Sequence, residues 1–406
     1  MSRGLATGIA LALLSGAVWG ALHVGSHWNY QIVDYGVYQK YGDDVTHNHQ
    51  VPYRDFDLEY PPAALPVFIA PALLERYDYD RVFQGLMFIC LVVLVLTVAA
   101  VAGMRAAVLA AVAPLALGSV VLSRFDLWPT SLAALAVYFI LRDRPYASAV
   151  LLGTAAAAKL WPAALIPLFA IWLVRSSGAR SAQRWLVTTL ATILVWFLPF
   201  VALSPSGVAH SFHAQLARPL QLESLGAAIL LAVHHATGSS LAVVSNFGSQ
   251  NLVGSGVRAV ELATTIVGGV ALVAVWVLFA TGPVTRSRFL TSCAAAVAAL
   301  VAFGKVFSPQ FMIWLIPFVL LVRGGRRIAA WLLLYAALLL TQTWFPNHYW
   351  DLALRMALTQ SNELLARDLC VVALFVVLAW PSLQHEVLGE HRSRLEALQR
   401  VRTQVE

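Results

Sequence analysis

Residues 34–62 read DYGVYQKYGDDVTHNHQVPYRDFDLEYPP, and they follow a run at 4–25, GLATGIALALLSGAVWGALHVG, that no water-soluble fold would display. Asp34, Asp43, Asp44, Asp55, Asp57 and Glu59 stand with several tyrosines in a polar island beside an oily helix. The rest of the chain says what that island faces.

Outward from the island the chain is apolar almost throughout. Its 406 residues are 60% hydrophobic and 12% charged, with a mean hydropathy of +0.74; a soluble domain is about a quarter charged. Apolar runs long enough to cross a hydrocarbon core of about 30 Å recur from end to end, and only a helix satisfies its own backbone there. The chain therefore reads as an all-α polytopic membrane protein with about twelve transmembrane helices. They are expected near residues 5–25, 82–103, 106–123, 127–142, 145–159, 160–174, 185–203, 257–280, 288–304, 309–322, 328–343 and 364–382. The MSR start raises a signal peptide, but the apolar stretch is long and lacks a small-residue cleavage site, so it reads as a span. Cys90, Cys293 and Cys370 lie inside apolar runs and read as small packing residues.

The net charge of +7 does not point to nucleic acid, because the arginines alternate by loop. With the amino terminus in the cytoplasm, Arg105, Arg142, Arg144, Arg175, Arg180, Arg184, Arg286, Arg288, Arg323, Arg326 and Arg327 all fall on the inner side. A transmembrane domain over 1–382 and a tail at 383–406 follow, with both termini cytoplasmic and membrane lipids as neighbours. The polar loops at 26–81 and 204–256 then face outward. No Gly-rich run has the lysine and Ser/Thr of a phosphate loop, so chemistry on the outer face needs a reagent that the membrane itself carries.

Three helices expected to begin on that face share one design: SRFDLWPTSLAAL at 123–135, AAKLWPAALIPL at 157–168 and FGKVFSPQFMIWLIP at 303–317. Each sets a cation just before a first-turn proline, where the missing N–H costs nothing. Arg124, Lys159 and Lys305 reinforce helix ends that already attract anions, so together they form a candidate phosphate site. The alternative is that they snorkel as interfacial anchors beside Trp128 and Trp161. Three occurrences on one face, against the positive-inside bias, favour the site.

The order D..VY..YG, VPYRDFDLEYPP, RFD, KLWP and KVFSPQF.IWLIP resembles the polytopic polyprenyl-phosphate-sugar-dependent enzymes of glycosyltransferase family 87, with the GT-C architecture. The likeness runs from Asp34 to Pro317, and PYRDF.LEYPP is its most specific element. It implies mannosyl or, less often, arabinofuranosyl transfer from a lipid-phosphate sugar to a glycolipid or cell-envelope glycan acceptor. No cofactor is implied; the lipid-linked donor is a co-substrate. The family's catalytic carboxylate lies in the first outer loop, and the matching position is Asp34.

Elementary chemistry is compatible with that assignment. A positioned carboxylate takes the acceptor proton, and the lipid-phosphate leaving group needs charge stabilisation rather than a strong acid. One base with in-line displacement inverts, whereas retention needs a second carboxylate as nucleophile. Asp55, Asp57 and Glu59 compete for such roles. In RDFDLEYPP, however, acids alternate with apolar residues, so Arg54 with Asp55 reads as a structural pair and Glu59 as fixing the turn into the next helix. Further substrate-binding candidates are Tyr38, Arg54, Asp55, Glu59 and Tyr60 in the first loop, with Asp126, Gln310 and His348 beyond it. The histidine pairs HNH, HSFH and HH lack a third ligand, so no metal is expected. A transporter or flippase for the same lipid is the rival, but its inverted repeats and midplane charges are not evident.

Overall fold

The computed structural model describes residues 3–24, 32–74 and 76–380; the expected tail at 383–406 lies outside the described residues. Among those described, the chain forms eighteen α-helices, three short 3-10 turns and one two-stranded antiparallel sheet.

Among the described residues, six helices are long and apolar enough to cross a membrane: Gly4–Ala21, Tyr79–Ala102, Ala179–Leu203, Val257–Thr281, Arg286–Phe303 and Arg327–Trp344. The other expected spans are mostly shorter, among them Met104–Leu117, Leu127–Ile140, Pro145–Ala158, Trp161–Ser177 and Pro309–Leu320. Hydropathy measures burial rather than length, and these pieces are buried by protein. Met104–Leu117, for example, packs through Ala106, Ala107, Ala110, Ala111 and Ala113, all buried, as small residues let membrane helices approach closely. The expected span at 364–382 is part of a 22-residue helix, Leu358–Ala379. It carries Glu363, Arg367 and Asp368 in its first half and packs most extensively on Arg327–Trp344.

The three cation–proline motifs open short helical pieces. Leu127–Ile140 has 14 residues, about 21 Å at 1.5 Å per residue, against a hydrocarbon core of about 30 Å. It ends at the turn bearing exposed Arg142 and Arg144. The other two likewise end near arginines, Arg175 and Arg323. At about 21 Å, Leu127–Ile140 is shorter than such a core, so if one end reached a surface the other would stop short of the opposite one. Irregular backbone is tolerated at such depth only where it is packed in protein or lines a cavity.

The polar loops fold over these ends. In the first, helix Tyr35–Thr46 packs on Leu65–Ala72 so closely that a Cβ on Gly42 would stand 2.5 Å from the Phe68 carbonyl oxygen. In the second, helices Pro205–Leu216 and Leu225–Thr237 precede a hairpin of strands β1 (Leu241–Asn246) and β2 (Ser249–Gly254). Asn246 pairs with Ser249, and Phe247 and Gly248 turn with φ of 50° and 65°, the positive values of a primed two-residue hairpin turn. This hairpin is the one departure from the all-α expectation. An aromatic cluster joins loop to bundle: Tyr38 stacks on Phe68 with centroids 4.6 Å apart and meets Phe125 edge-on at 5.7 Å.

Candidate functional site

Asp34 is the residue immediately before helix Tyr35–Thr46. One carboxylate oxygen pairs with Nη1 of Arg124. The other accepts a hydrogen bond from the Tyr38 hydroxyl, one helical turn on, at 3.2 Å. Tyr38 is only 1% exposed, so the aromatic cluster fixes its direction and thereby that of Asp34. Arg124 is buried in an extended link between helices Val120–Ser123 and Leu127–Ile140. The Tyr35 hydroxyl donates to the Leu122 carbonyl at 3.0 Å and ties the two segments together.

Lys159 ends helix Pro145–Ala158 in extended backbone. Its ammonium is 2.7 Å from Oδ1 of Asp126, which also accepts the Trp314 indole N–H at 2.5 Å. The ammonium lies over the Phe125, Trp314 and Phe311 rings at 4.8, 5.4 and 5.5 Å, contacts that gain strength where water is excluded. Trp161 stacks on Trp314 at 5.2 Å. The RFD, KLWP and SPQF..W stretches, far apart in sequence, thus meet around one buried carboxylate.

These groups border a cavity of about 490 Å³. Of the residues expected from sequence, Asp34, Glu59, Tyr60, Arg124, Lys159 and Gln310 line it. Tyr38 and Asp126 stand behind its wall as partners of Asp34 and Lys159. Lys305 is not brought to it: its ammonium pairs with Glu261 at 3.1 Å and the Leu216 carbonyl at 3.0 Å. The extended break after Gly304 turns that side chain toward the neighbouring helices, and its motif contributes Ser308, Pro309 and Gln310 to the lining instead.

Arg54 and Asp55 pair with each other on the exposed surface at 2.9 Å, away from the cavity. Asp55 also accepts the Val51 N–H at 2.7 Å. The Arg54 hydrogen bond, with that N–H, holds the Asp55 carboxyl down to about 2. His348 is exposed, with its ring nitrogen 3.3 Å from Asp351, while the adjacent Tyr349 and Trp350 line the cavity. Among the described residues, no group of three or more His, Cys, Asp or Glu side chains is placed to hold a metal ion.

Sequence reasoning missed Arg218, Glu223 and Tyr349, all on the cavity. They were legible in part, since Arg218 precedes Pro219 and repeats the cation–proline signature inside the second loop. Backbone bonds clamp segment 218–224. Leu222 N–H donates to Gln250 and Leu252 N–H to Leu220, at 3.0 and 2.9 Å, which joins the segment to β2. Gln221 donates from its N–H to the Lys305 carbonyl at 2.9 Å and from its side chain to Ser308 at 2.8 Å. Arg367, from the Leu358–Ala379 helix, donates to the Glu223 carbonyl at 2.6 Å while stacked 3.7 Å over Phe307. Burial pushes the Glu223 carboxyl up to about 7, although Arg367, Arg218 and a hydrogen bond from Tyr349 oppose the shift. Burial likewise raises the Tyr349 hydroxyl far above its ordinary value.

The model of the family described as glycosyltransferase family 87 matches residues 58–309 of the chain. Arg124, Lys159, Arg218 and Glu223 fall within that range, whereas Asp34 precedes it and is located by geometry. Comparison with curated proteins finds no match. Among solved structures the chain is similar to the crystal structure of ArnT from Cupriavidus metallidurans bound to undecaprenyl phosphate. The TM-score is 0.51 at 15% identity, covering 96% of this chain and 79% of that one. At such identity the likeness is one of fold.

Proposed function

We propose a reaction on one premise: the chain belongs to glycosyltransferase family 87. It is a multi-pass membrane glycosyltransferase with a GT-C-type helical fold. In our reading it transfers a sugar, mannose, from a polyprenyl-phosphate donor to a glycolipid or cell-envelope glycan, with inversion. The cavity faces the extracytoplasmic side and both termini the cytoplasm, a topology supported by the alternation of arginines along the chain.

The observation that carries this reading is Asp34 held on a cavity wall by Arg124 and Tyr38, with Lys159 and Arg218 on the same cavity. The undecaprenyl phosphate in the ArnT structure supports a polyprenyl-phosphate donor by likeness of fold. Asp34 takes the proton of the acceptor hydroxyl as its oxygen attacks the anomeric carbon. A new C1–O bond forms, the C1–O bond to phosphate breaks, and the electron pair leaves with the polyprenyl phosphate. The donor phosphodiester carries one negative charge and the departing monoester gains a second. Arg124, Lys159 and Arg218 stabilise that gain, which is where preorganised cations lower a barrier. Arg124 links the two halves of the reaction, because it orients Asp34 before the donor arrives and competes for the phosphate afterwards.

The test is incubation of the purified protein with a panel of polyprenyl-phosphate sugars and mass analysis of the lipid products. Asp34→Asn is expected to keep affinity for the donor and to lose about 10²- to 10⁴-fold in transfer rate. Near-normal turnover in that folded variant would move the base to Glu59, which also lines the cavity.

A further inference from the structure

We propose that Glu223, with the Tyr349 hydroxyl beside it, forms the subsite that reads the hydroxyl groups of the transferred sugar and so sets donor specificity. The inference rests on the glycosyl-transfer reading above and adds a role for a residue that the chemistry itself does not use.

Glu223 is 3% exposed yet lines the cavity, and its Oε2 has no hydrogen-bond partner among the described residues. A buried polar oxygen left unsatisfied is costly, so a ligand that supplies a hydrogen there is rewarded. The position of that oxygen is fixed. The Glu223 backbone is gripped by Arg367, and the Tyr349 hydroxyl lies beside the carboxyl. Arg367 is itself fully buried against Phe307 and 2.7 Å from Asp368. A subsite that discriminates epimers needs such rigidity, because the difference it reads is the direction of one hydroxyl.

The surroundings match a sugar better than a phosphate. Phe345, Tyr349 and Trp350 line the same cavity and present apolar ring faces suited to the C–H face of a pyranose. An anionic phosphate settles on Arg124, Lys159 and Arg218, which leaves the carboxyl to the uncharged part of the donor. Because burial pushes Glu223 up to about 7, the carboxyl is about half protonated near neutrality, and its protonated form offers one hydroxyl donor and one acceptor, the complement of two adjacent sugar hydroxyls. In this proposal Glu223 is therefore a specificity-determining residue.

The experiment compares Glu223→Gln, Glu223→Ala and Tyr349→Phe with the wild type in nanodiscs. Affinity is measured for bare polyprenyl phosphate and for polyprenyl-phosphate mannose, glucose and galactose, with kcat/KM for each donor that turns over. Expected is bare-lipid affinity within about twofold of wild type in all three variants. With Glu223→Ala, kcat/KM for the best donor should fall about 10- to 100-fold, the equivalent of one or two lost hydrogen bonds, and the preference among epimers should collapse. Glu223→Gln, which keeps a donor and an acceptor, should retain part of the preference. Equal loss on bare lipid and on sugar-loaded lipid overturns the proposal in favour of a role in phosphate binding or folding. An unchanged epimer preference in Glu223→Ala also overturns it while leaving glycosyl transfer intact. A wild type that binds no polyprenyl phosphate overturns the transfer reading itself, and this proposal with it.

Discussion

At the cavity the charges cancel largely in pairs, Arg124 with Asp34 and Lys159 with Asp126. Arg218 lies beside Glu223, whose carboxyl burial pushes up to about 7 and so offsets it less than a fully ionised partner would, which leaves Arg218 with the most charge for a phosphate. Arg218→Gln should therefore weaken donor binding by about 1.5–3 kcal/mol, as expected for a charge-assisted hydrogen bond. Lys305→Gln, by contrast, should leave donor affinity unchanged, since its ammonium is committed to Glu261 and Leu216. Titration of both variants with donor in nanodiscs checks the contrast, and equal losses would return Lys305 to the site. The cation–proline motif made Arg124 and Lys159 legible in the sequence and the family resemblance pointed to Asp34, but a cation before a proline does not say which way an extended residue points. That direction comes from contacts such as Gln221 N–H on the Lys305 carbonyl, which depend on a segment 84 positions away. Glu223 adds a pH effect. Its folded value of about 7 lies above the ordinary 4.5, so the folded state holds the proton more tightly, and stability is full below about 4.5 and falls as pH rises through about 7. The wild-type melting temperature should fall between pH 5 and 8 more than that of Glu223→Gln; parallel curves would show that the carboxyl titrates elsewhere.

Among the elements, the Leu358–Ala379 helix holds the second loop in place through Arg367. Replacing Arg367 with Met removes the guanidinium from Phe307 and from the Glu223 carbonyl, and leaves Asp368 buried without its partner. Loss of one member of a buried pair costs about 3–5 kcal/mol, so thermal unfolding of Arg367→Met should show a large drop, eased when Asp368→Asn is added. No rescue by the second change would mean that the ring stack and the carbonyl bond dominate. The two outer loops are also locked to each other. Ser204 Oγ donates to the Tyr53 carbonyl at 3.0 Å, and a Cβ on Gly207 would fall 1.8 Å from the same oxygen. Gly207→Ala should thus lower both stability and transfer rate, whereas Gly36→Ala, with nothing within 4 Å, should not. Helix existence was readable from apolar runs, but helix length was not, because alanine-rich stretches look alike whether lipid or protein covers them. The hairpin escaped notice because its strands are short and partly polar, although the tight turn at Phe247-Gly248 was a local signal.

For the whole molecule, composition alone made the membrane class plain, since no soluble core can absorb a chain that is 60% hydrophobic. The proposed sidedness rests on arginines spread over many loops. Single cysteines at exposed Asn48 and Ser177, in an otherwise cysteine-free chain, should react with impermeant reagents from opposite sides of sealed vesicles. Labelling of both from the same side would sink the topology. The aromatic walls of the cavity have a further consequence. An activated sugar is always open to theft by water, which outnumbers any acceptor by orders of magnitude. In the proposed reaction the reacting carbon sits in a cavity lined by Trp161, Trp314, Phe311 and Phe345, whose apolar rings disfavour water beside a lipid-borne acceptor. The enzyme then guards its donor by where it does the chemistry, and widening that cavity should show first as spilled free sugar rather than as slower transfer.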